Sequence, residues 1–289
     1  MSELPPVSPL LIAAELACWL AGLVLLVSLL MGRLGPNRPA LVPWRVTMEG
    51  FVMSILLVIG GGLMAPQILP QLCEPLLDHV ADQGGWWQVL TGLSYQLGLL
   101  GGAGLSLLIS RISPPPQPAP AETTITPPPA PPLEPRTRHP LLAGIATFAI
   151  ILPLITGIGY LCKLALTALG MPIDEQSLVD LFRNTSSPAL LGALIFTAVV
   201  IAPMTEEVIF RAGLFRYLRT RIPRWIAYVV PALVFSLLHS SIFAFVPLFA
   251  FGLALSYAYE RTGRIAVPMI AHGLFNLHTI LLVLAGVTT

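Results

Sequence analysis

Charged residues are scarce in this chain, and their scarcity limits the class of protein. Asp, Glu, Lys and Arg make up 10% of the 289 residues, whereas an ordinary soluble domain is about 25% charged. Hydrophobic residues make up 55%, and the mean hydropathy is +0.83. This composition excludes an ordinary soluble domain and predicts an integral membrane protein. The net charge of +1 gives no sign of a nucleic-acid partner.

Cysteines are also few. Cys18, Cys73 and Cys162 are scattered, odd in number and never form a CxxC pair. This pattern argues against a disulfide framework or a cysteine metal site, and we interpret the three as small core residues or free thiols. Basic residues are missing before Leu10, where a cleaved secretory signal would carry them. We therefore predict an uncleaved first membrane helix.

Long apolar runs are abundant by contrast. A helical span of a bilayer needs roughly 17–25 mostly apolar residues, and eight runs are candidates. They cover about 8–31, 47–70, 86–110, 141–166, 188–215, 225–241, 242–260 and 265–287. The predicted fold class is all-α: a polytopic transmembrane helical bundle of about eight spans.

Arginines are concentrated in alternate loops between these runs. Basic residues mark cytoplasmic loops, so the loops after the first, third, fifth and seventh spans are predicted to lie inside. Eight spans with both termini outside satisfy every loop. We predict a multi-pass protein of the cell (plasma) membrane with its N- and C-termini outside. The arginines of these inner loops are Arg33, Arg38, Arg45, Arg111, Arg136, Arg138, Arg216, Arg219, Arg221, Arg224, Arg261 and Arg264.

Residues 113–139 are rich in proline. Proline removes backbone donors and favours an extended, solvated chain, so this stretch is predicted to be a disordered linker. It separates an N-terminal three-span accessory membrane region, residues 1–112, from a five-span region, residues 140–289. For Glu15, in the first span, we favour an interfacial or interhelical contact over a direct functional role.

Three polar clusters interrupt the apolar runs of the second region. A charge at mid-membrane costs about 3 kcal/mol on insertion scales, so an ionisable residue inside a span is a functional-site candidate by default. Three such clusters, in the fifth, sixth and eighth runs, are hard to explain by packing alone. Their residues, in chain order, are Glu206, Glu207 and Arg211; Phe235 and His239; His272 and Asn276.

The clusters lie at matched depths. Glu206 and His239 are each about 16 residues from the inner turn between the fifth and sixth spans, or ~25 Å along antiparallel helices. His272 and Asn276 lie ~15–20 Å beyond the next inner turn. Because the cationic helix ends project past the headgroups, all four residues are predicted to meet in one band within the membrane. Phe235, one turn from His239, is predicted to wall the pocket.

Local spacing separates the roles of the two adjacent glutamates. Glu207 and Arg211 are four residues apart and share a helix face, so we predict that Arg211 neutralises Glu207. Glu206 points about 100° away and keeps no local counter-charge. His272 and Asn276 are also four residues apart and are expected to converge on one point.

Three chemistries fit a carboxylate, two histidines and an amide. Glu206 can activate a water as a general base while the histidines and the amide stabilise the developing oxyanion. Alternatively, the two histidines and the glutamate bind zinc, which activates a bound water. The cluster can also be the proton relay or ion path of a transporter. A serine or cysteine nucleophile is disfavoured because no G-x-S-x-G elbow is present.

The ordered set E-E-x-x-x-R, F-x-x-x-H and H-x-x-x-N, on the fifth, sixth and eighth spans, resembles the CAAX protease and bacteriocin-processing family (CPBP, also called Abi). Its eukaryotic members are the type II CAAX prenyl endopeptidases. The resemblance covers roughly residues 140–289. It implies an intramembrane endopeptidase that cuts a membrane-associated protein or peptide, including a lipidated one. The expected partners are this substrate and membrane lipids, and no nucleic acid is expected.

The resemblance also implies roles for single residues. The family's water-activating base maps to Glu206, and its oxyanion-stabilising amide maps to Asn276. No cofactor is expected, because the family is generally read as a metal-independent glutamate protease, with zinc as the alternative. Some members act in bacteriocin self-immunity, so a non-catalytic immunity protein is a further alternative. The expected catalytic residues are Glu206, His239, His272 and Asn276, supported by Glu207, Arg211 and Phe235.

Overall fold

The computed structural model describes residues 9–34, 41–42, 44, 46–77, 80, 82–112, 139–171, 181–182, 185 and 187–286. These residues form eight numbered helices and no strand, which confirms the all-α fold class. Almost all of the proline-rich stretch 113–139 lies outside the described residues. The helices are α1 Pro9–Leu30, α2 Met48–Leu77, α3 Gln83–Ile112, α4 Pro140–Ala168, α5 Pro188–Leu218, α6 Arg224–Leu238, α7 Ile242–Thr262 and α8 Ala266–Leu284.

Seven of these eight helices are long and apolar enough to cross a membrane, and α6 is shorter. Its 15 residues extend only ~22 Å at 1.5 Å per residue, against a hydrocarbon core of about 30 Å. The helix stops earlier than the predicted run 225–241 because the chain turns at residues 239–241. Ser240 in that turn has a left-handed φ of 51°, which no helix continues through.

Local sequence signals explain several helix ends. Pro140 and Pro188 open α4 and α5, where the missing N–H of proline costs nothing. The hydroxyl of Ser187 accepts a hydrogen bond from the N–H of Leu190 at 3.3 Å and so caps α5. Gly263 ends α7 with a left-handed φ of 66°, the usual glycine stop.

The helix α5 is not a uniform α-helix. Two π-helical stretches, Thr197–Ile201 and Val208–Phe215, flank the α-helical turn Ala202–Glu207. Pro203 has no N–H to donate, so the regular ladder cannot continue through it. The N–H of Ala202 reaches back to the carbonyl of Thr197 instead. The two adjacent glutamates therefore lie between two local widenings of the helix, which are frequent at functional sites.

The five C-terminal helices share one apolar core. The helix α7 packs against α4, α6 and α8, and α8 also packs against α4 and α5. Fully or nearly buried side chains from all five helices meet in this core, and the polar clusters lie beside it. The buried members are Ile151, Ile155, Phe210, Phe235, Phe251, Leu255 and Ala271.

The N-terminal helices dock against this bundle. The helices α2 and α3 form a close pair, and α3 packs against α5, while α1 packs against α4. Glu15 of α1 accepts a hydrogen bond from His278 of α8 at 2.7 Å, which confirms its interhelical contact. At the arginine-rich end, Arg216 and Arg221 donate to the backbone carbonyls of Val42 and Val46 at 2.7 and 2.6 Å.

Candidate active site

Glu206 and Glu207 lie side by side in the α-helical turn of α5, in different surroundings. The Glu207 side chain is fully buried, whereas 19% of the Glu206 side chain is exposed. Arg211 Nη1 donates to Glu207 Oε1 at 2.9 Å, so the predicted pairing within the helix is confirmed. Within the described part of the chain, Glu207 has no second arginine or lysine partner and Glu206 has none. The charge of Glu207 is therefore matched locally, and that of Glu206 is not.

Arg211 is anchored on its other side by α7. Its guanidinium is buried, and Nη2 donates to the carbonyl of Gly252 at 3.3 Å. The guanidinium carbon also lies 4.8 Å from the centre of the Phe235 ring, a distance at which a cation is attracted to an aromatic face. A side chain at position 252 would press on Ala232 at 3.0 Å. Glycine there lets α7 present its backbone to the arginine.

His272 of α8 lies between the two carboxylates. Its Nδ1 is 2.8 Å from Glu207 Oε1, and its Nε2 is 3.7 Å from Glu206 Oε2. The ring is 4% exposed. The shorter contact is a hydrogen bond, and the longer one exceeds the usual range for a direct bond. The structure therefore brings Glu206 and His272 to one depth, as their distances from the inner turns predict, and it adds Glu207 to the same ring.

His239 follows the last residue of α6, at the start of the turn. Its Nδ1–H donates to the carbonyl of Phe235 at 2.8 Å, because a carbonyl can only accept. The Phe235 ring lies 4.7 Å from the His239 ring and 5.9 Å from the His272 ring. Phe235 is completely buried and contacts both histidine rings, and its role as a wall of the pocket stays a prediction. Among the described residues, no carboxylate oxygen lies within 4.0 Å of a nitrogen of His239.

Asn276 lies one turn beyond His272 and contacts α5. Its amide nitrogen donates to the carbonyl of Ala198 at 2.8 Å. That carbonyl lacks its regular intrahelical donor, because the N–H of Ala202 bonds to Thr197 and Pro203 has none. The π-helical stretch Thr197–Ile201 in α5 therefore provides the acceptor that orients Asn276. The amide keeps a second N–H for another acceptor.

Close packing of α8 on α5 holds this part of the site. A methyl group built on Gly273 would lie 2.5 Å from the carbonyl oxygen of Val199, closer than real contacts allow. Phe251 of α7 stands edge-on to the His272 ring at 5.0 Å. The sequence motifs do not mark Gly252, Gly273, Phe251 or the Ala198 carbonyl. Only Pro203, close before the glutamates, was a usable signal for the irregular backbone.

The zinc alternative would need metal ligands among the site residues. Within the described ranges, no group of three or more His, Cys, Asp and Glu side chains is placed to hold a metal ion. His272 Nδ1 is committed to Glu207. In the zinc alternative, Nε2 of this residue would be the nitrogen left for a metal.

The fold and the site together define a class: a multi-helix membrane protein with a carboxylate, histidine and amide cluster between its helices. Comparison with known proteins narrows the class. Residues 188–278 match the family model described as type II CAAX prenyl endopeptidase Rce1-like, which confirms the resemblance expected from the motifs. This stretch contains every predicted site residue.

Curated relatives match part of the chain. "Membrane-embedded CAAX protease MroQ" of Staphylococcus aureus (strain USA300) is 39% identical over 89 residues, which cover 28% of this chain and 36% of the relative. "Putative membrane peptidase YdiL" of Bacillus subtilis (strain 168) is 28% identical over 114 residues, covering 39% and 44%. An "Uncharacterized 24.3 kDa protein" of Escherichia coli is 30% identical over 110 residues, covering 36% and 50%. The chain thus spans half or less of the length of these relatives. No solved structure matches it.

Proposed function

We propose that this protein is an intramembrane endopeptidase of the glutamate type, in which Glu206 activates the water that hydrolyses a peptide bond. The observation that carries the proposal is the unequal setting of the two adjacent carboxylates. Glu207 is buried and holds both Arg211 and His272. Glu206 is partly accessible, has no arginine partner of its own in the described residues, and faces His272 Nε2 at 3.7 Å. A carboxylate left in this way is available as a base.

The proposed reaction needs only water and a peptide bond. Glu206 takes one proton from the water, and the hydroxide oxygen bonds to the carbonyl carbon of the substrate. The resulting tetrahedral intermediate carries a negative oxygen. As the C–N bond breaks, protonated Glu206 returns its proton to the departing amine nitrogen. The products are a carboxylic acid and an amine, and Glu206 is a carboxylate again.

His239 and Asn276 have different roles in the proposed reaction. The Nδ1–H of His239 is used by the Phe235 carbonyl, so Nε2 of the neutral ring is an acceptor and suits holding the water. Asn276 is oriented by one N–H on Ala198 and has its second N–H for the developing oxyanion. A preorganised donor of this kind is worth about 10²–10³ in rate.

The substrate class follows from the setting. A site between membrane helices can reach a membrane-associated protein or peptide, including one that carries a lipid. The names of the relatives, a CAAX protease and a putative membrane peptidase, support the same class. We also propose that residues 140–289 are the peptidase domain and 1–112 an accessory region joined by the linker 113–139. We further propose that the protein resides in the cell membrane with both termini outside.

Comparative membrane proteomics tests the activity. Membranes from cells with the wild-type protein are compared with membranes carrying Glu206→Gln, and protein C-termini are sequenced. We expect substrates to keep uncut C-termini only in Glu206→Gln. Glu74→Gln, a change of an exposed carboxylate at the end of α2, is the matched control and should behave as wild type. Full cleavage by a well-folded Glu206→Gln variant removes Glu206 as the base.

The alternatives give different results in the same preparations. A zinc enzyme would contain one tightly bound zinc per chain, and its removal would abolish cleavage. A transporter would conduct its solute in liposomes without any proteolysis. A non-catalytic immunity protein would capture its partner equally well with Gln at position 206.

A further inference from the structure

We propose that Glu207 is a positioning residue for His272: it holds the imidazole as the Nδ1–H tautomer and turns Nε2 towards Glu206. The i,i+4 spacing assigns Glu207 only to Arg211, and its contact with α8 adds a second task. The consequence for hydrolysis rests on the proposed function. The tautomer itself does not, because it is a property of the protein without substrate.

The geometry centres on one oxygen atom. Glu207 Oε1 receives Arg211 Nη1 at 2.9 Å and His272 Nδ1 at 2.8 Å. The side chains of Glu207, Arg211 and His272 are 0%, 1% and 4% exposed. Away from water, hydrogen bonds to charged groups are short and about twice as strong as neutral ones. The contact between Glu207 and His272 is therefore strong enough to decide the ring's orientation.

The tautomer follows from the partner of each nitrogen. Glu207 Oε1 already accepts from Arg211 Nη1, and a carboxylate oxygen can only accept from the ring as well, so His272 Nδ1 carries a proton. Nε2 is then the ring nitrogen that Glu207 does not use. This nitrogen is the one that lies 3.7 Å from Glu206 Oε2. The second ring nitrogen of His272 therefore faces Glu206, the proposed base.

Neighbouring groups keep this arrangement from rotating. Phe251 stands at 83° to the His272 ring, and Phe235 stands at 79°. Arg211 is held in turn by the carbonyl of Gly252. Residues of α5, α6 and α7 thus all contribute contacts to the group that holds His272 of α8. A carboxylate at position 207 is needed because an amide could also present its NH₂ to Nδ1 and select the opposite tautomer.

Nitrogen NMR tests the tautomer directly. The full chain is labelled with ¹⁵N-histidine and placed in lipid nanodiscs without substrate. We expect His272 to show a protonated Nδ1, assigned through Ala271 and Gly273. In Glu207→Gln we expect this Nδ1–H signal to be lost or to give way to the Nε2–H form. A wild-type His272 with its proton on Nε2 overturns the proposal, even if Glu207→Gln does not fold.

Kinetics on a substrate identified by the proteomic comparison give a second readout. Glu207→Gln should lower kcat by roughly 10²–10⁴-fold, the range for losing a group that orients a reacting side chain. KM should change little, and Glu207→Asp, which keeps the charge, should recover part of the loss. Equal kcat in Glu207→Gln and wild type overturns the positioning role. If Glu206→Gln stays active, the proposed function fails while the tautomer result still stands.

Discussion

Replacing Gly273 by alanine tests whether the approach of α8 to α5 sets the site. The added methyl would lie 2.5 Å from the carbonyl oxygen of Val199, so the helices must separate by about 0.9 Å to reach ordinary contact at 3.4 Å. The same movement would stretch the 2.8 Å bond between His272 and Glu207 beyond the hydrogen-bonding range of about 3.2 Å. Overpacking of this kind costs about 1–3 kcal/mol. Alanine's better helix propensity offsets at most about 1 kcal/mol of it.

Gly192→Ala is the matched control, because no atom lies within 4 Å of the added methyl. It should be neutral or slightly stabilising. We expect Gly273→Ala to lower the melting temperature in detergent, to weaken the His272 Nδ1–H signal and to lower kcat by up to about 10²-fold, since a 1 Å misplacement can cost that much. Identical melting temperature, NMR signal and kcat in both variants would refute the idea that this close approach positions His272.

Two further predictions concern carboxylates outside the site. Glu260, which is 1% exposed and accepts from Arg219, Arg224 and Tyr228, ties the ends of α5, α6 and α7. Glu260→Gln should lower the free energy of unfolding by about 1–3 kcal/mol. The cost is moderate because Arg219 and Arg224 both reach solvent. An unchanged free energy of unfolding would contradict this role of Glu260. Glu15→Gln should weaken the docking of α1 on α8 by about 0.5–2 kcal/mol and speed amide exchange in α1. Exchange as slow as in wild type would mean that the contact with His278 contributes little.

Much of this architecture follows from the sequence, for clear physical reasons. Apolar runs must be long enough to cross a bilayer, so they stand out whatever their neighbours are. Glu207 and Arg211 meet because four residues make about one turn of a helix. The common depth of Glu206 and His272 follows from counting residues between inner turns. Each of these inferences uses only distance along the chain.

Contacts between residues on different helices cannot be predicted by counting residues along the chain. A membrane helix is apolar all round, so its sequence says little about which face meets a neighbour. The contact of Glu207 with His272 depends on the rotation of both helices, and it was missed. The Ala198 carbonyl became available to Asn276 only through the irregular backbone before Pro203. Rotation and backbone irregularity, rather than helix position, are therefore what the sequence leaves open.

The pairing of two adjacent glutamates is itself explained by helix geometry. Neighbouring residues point about 100° apart, so one can face the interior while the next faces a more accessible side. Burying both beside Arg211 alone would leave one uncompensated charge, which costs several kcal/mol in a dry interior. The arrangement avoids this by burying Glu207 with its donors and leaving Glu206 19% exposed. A carboxylate that stays accessible while its neighbour holds Arg211 and His272 is what a water-activating base requires.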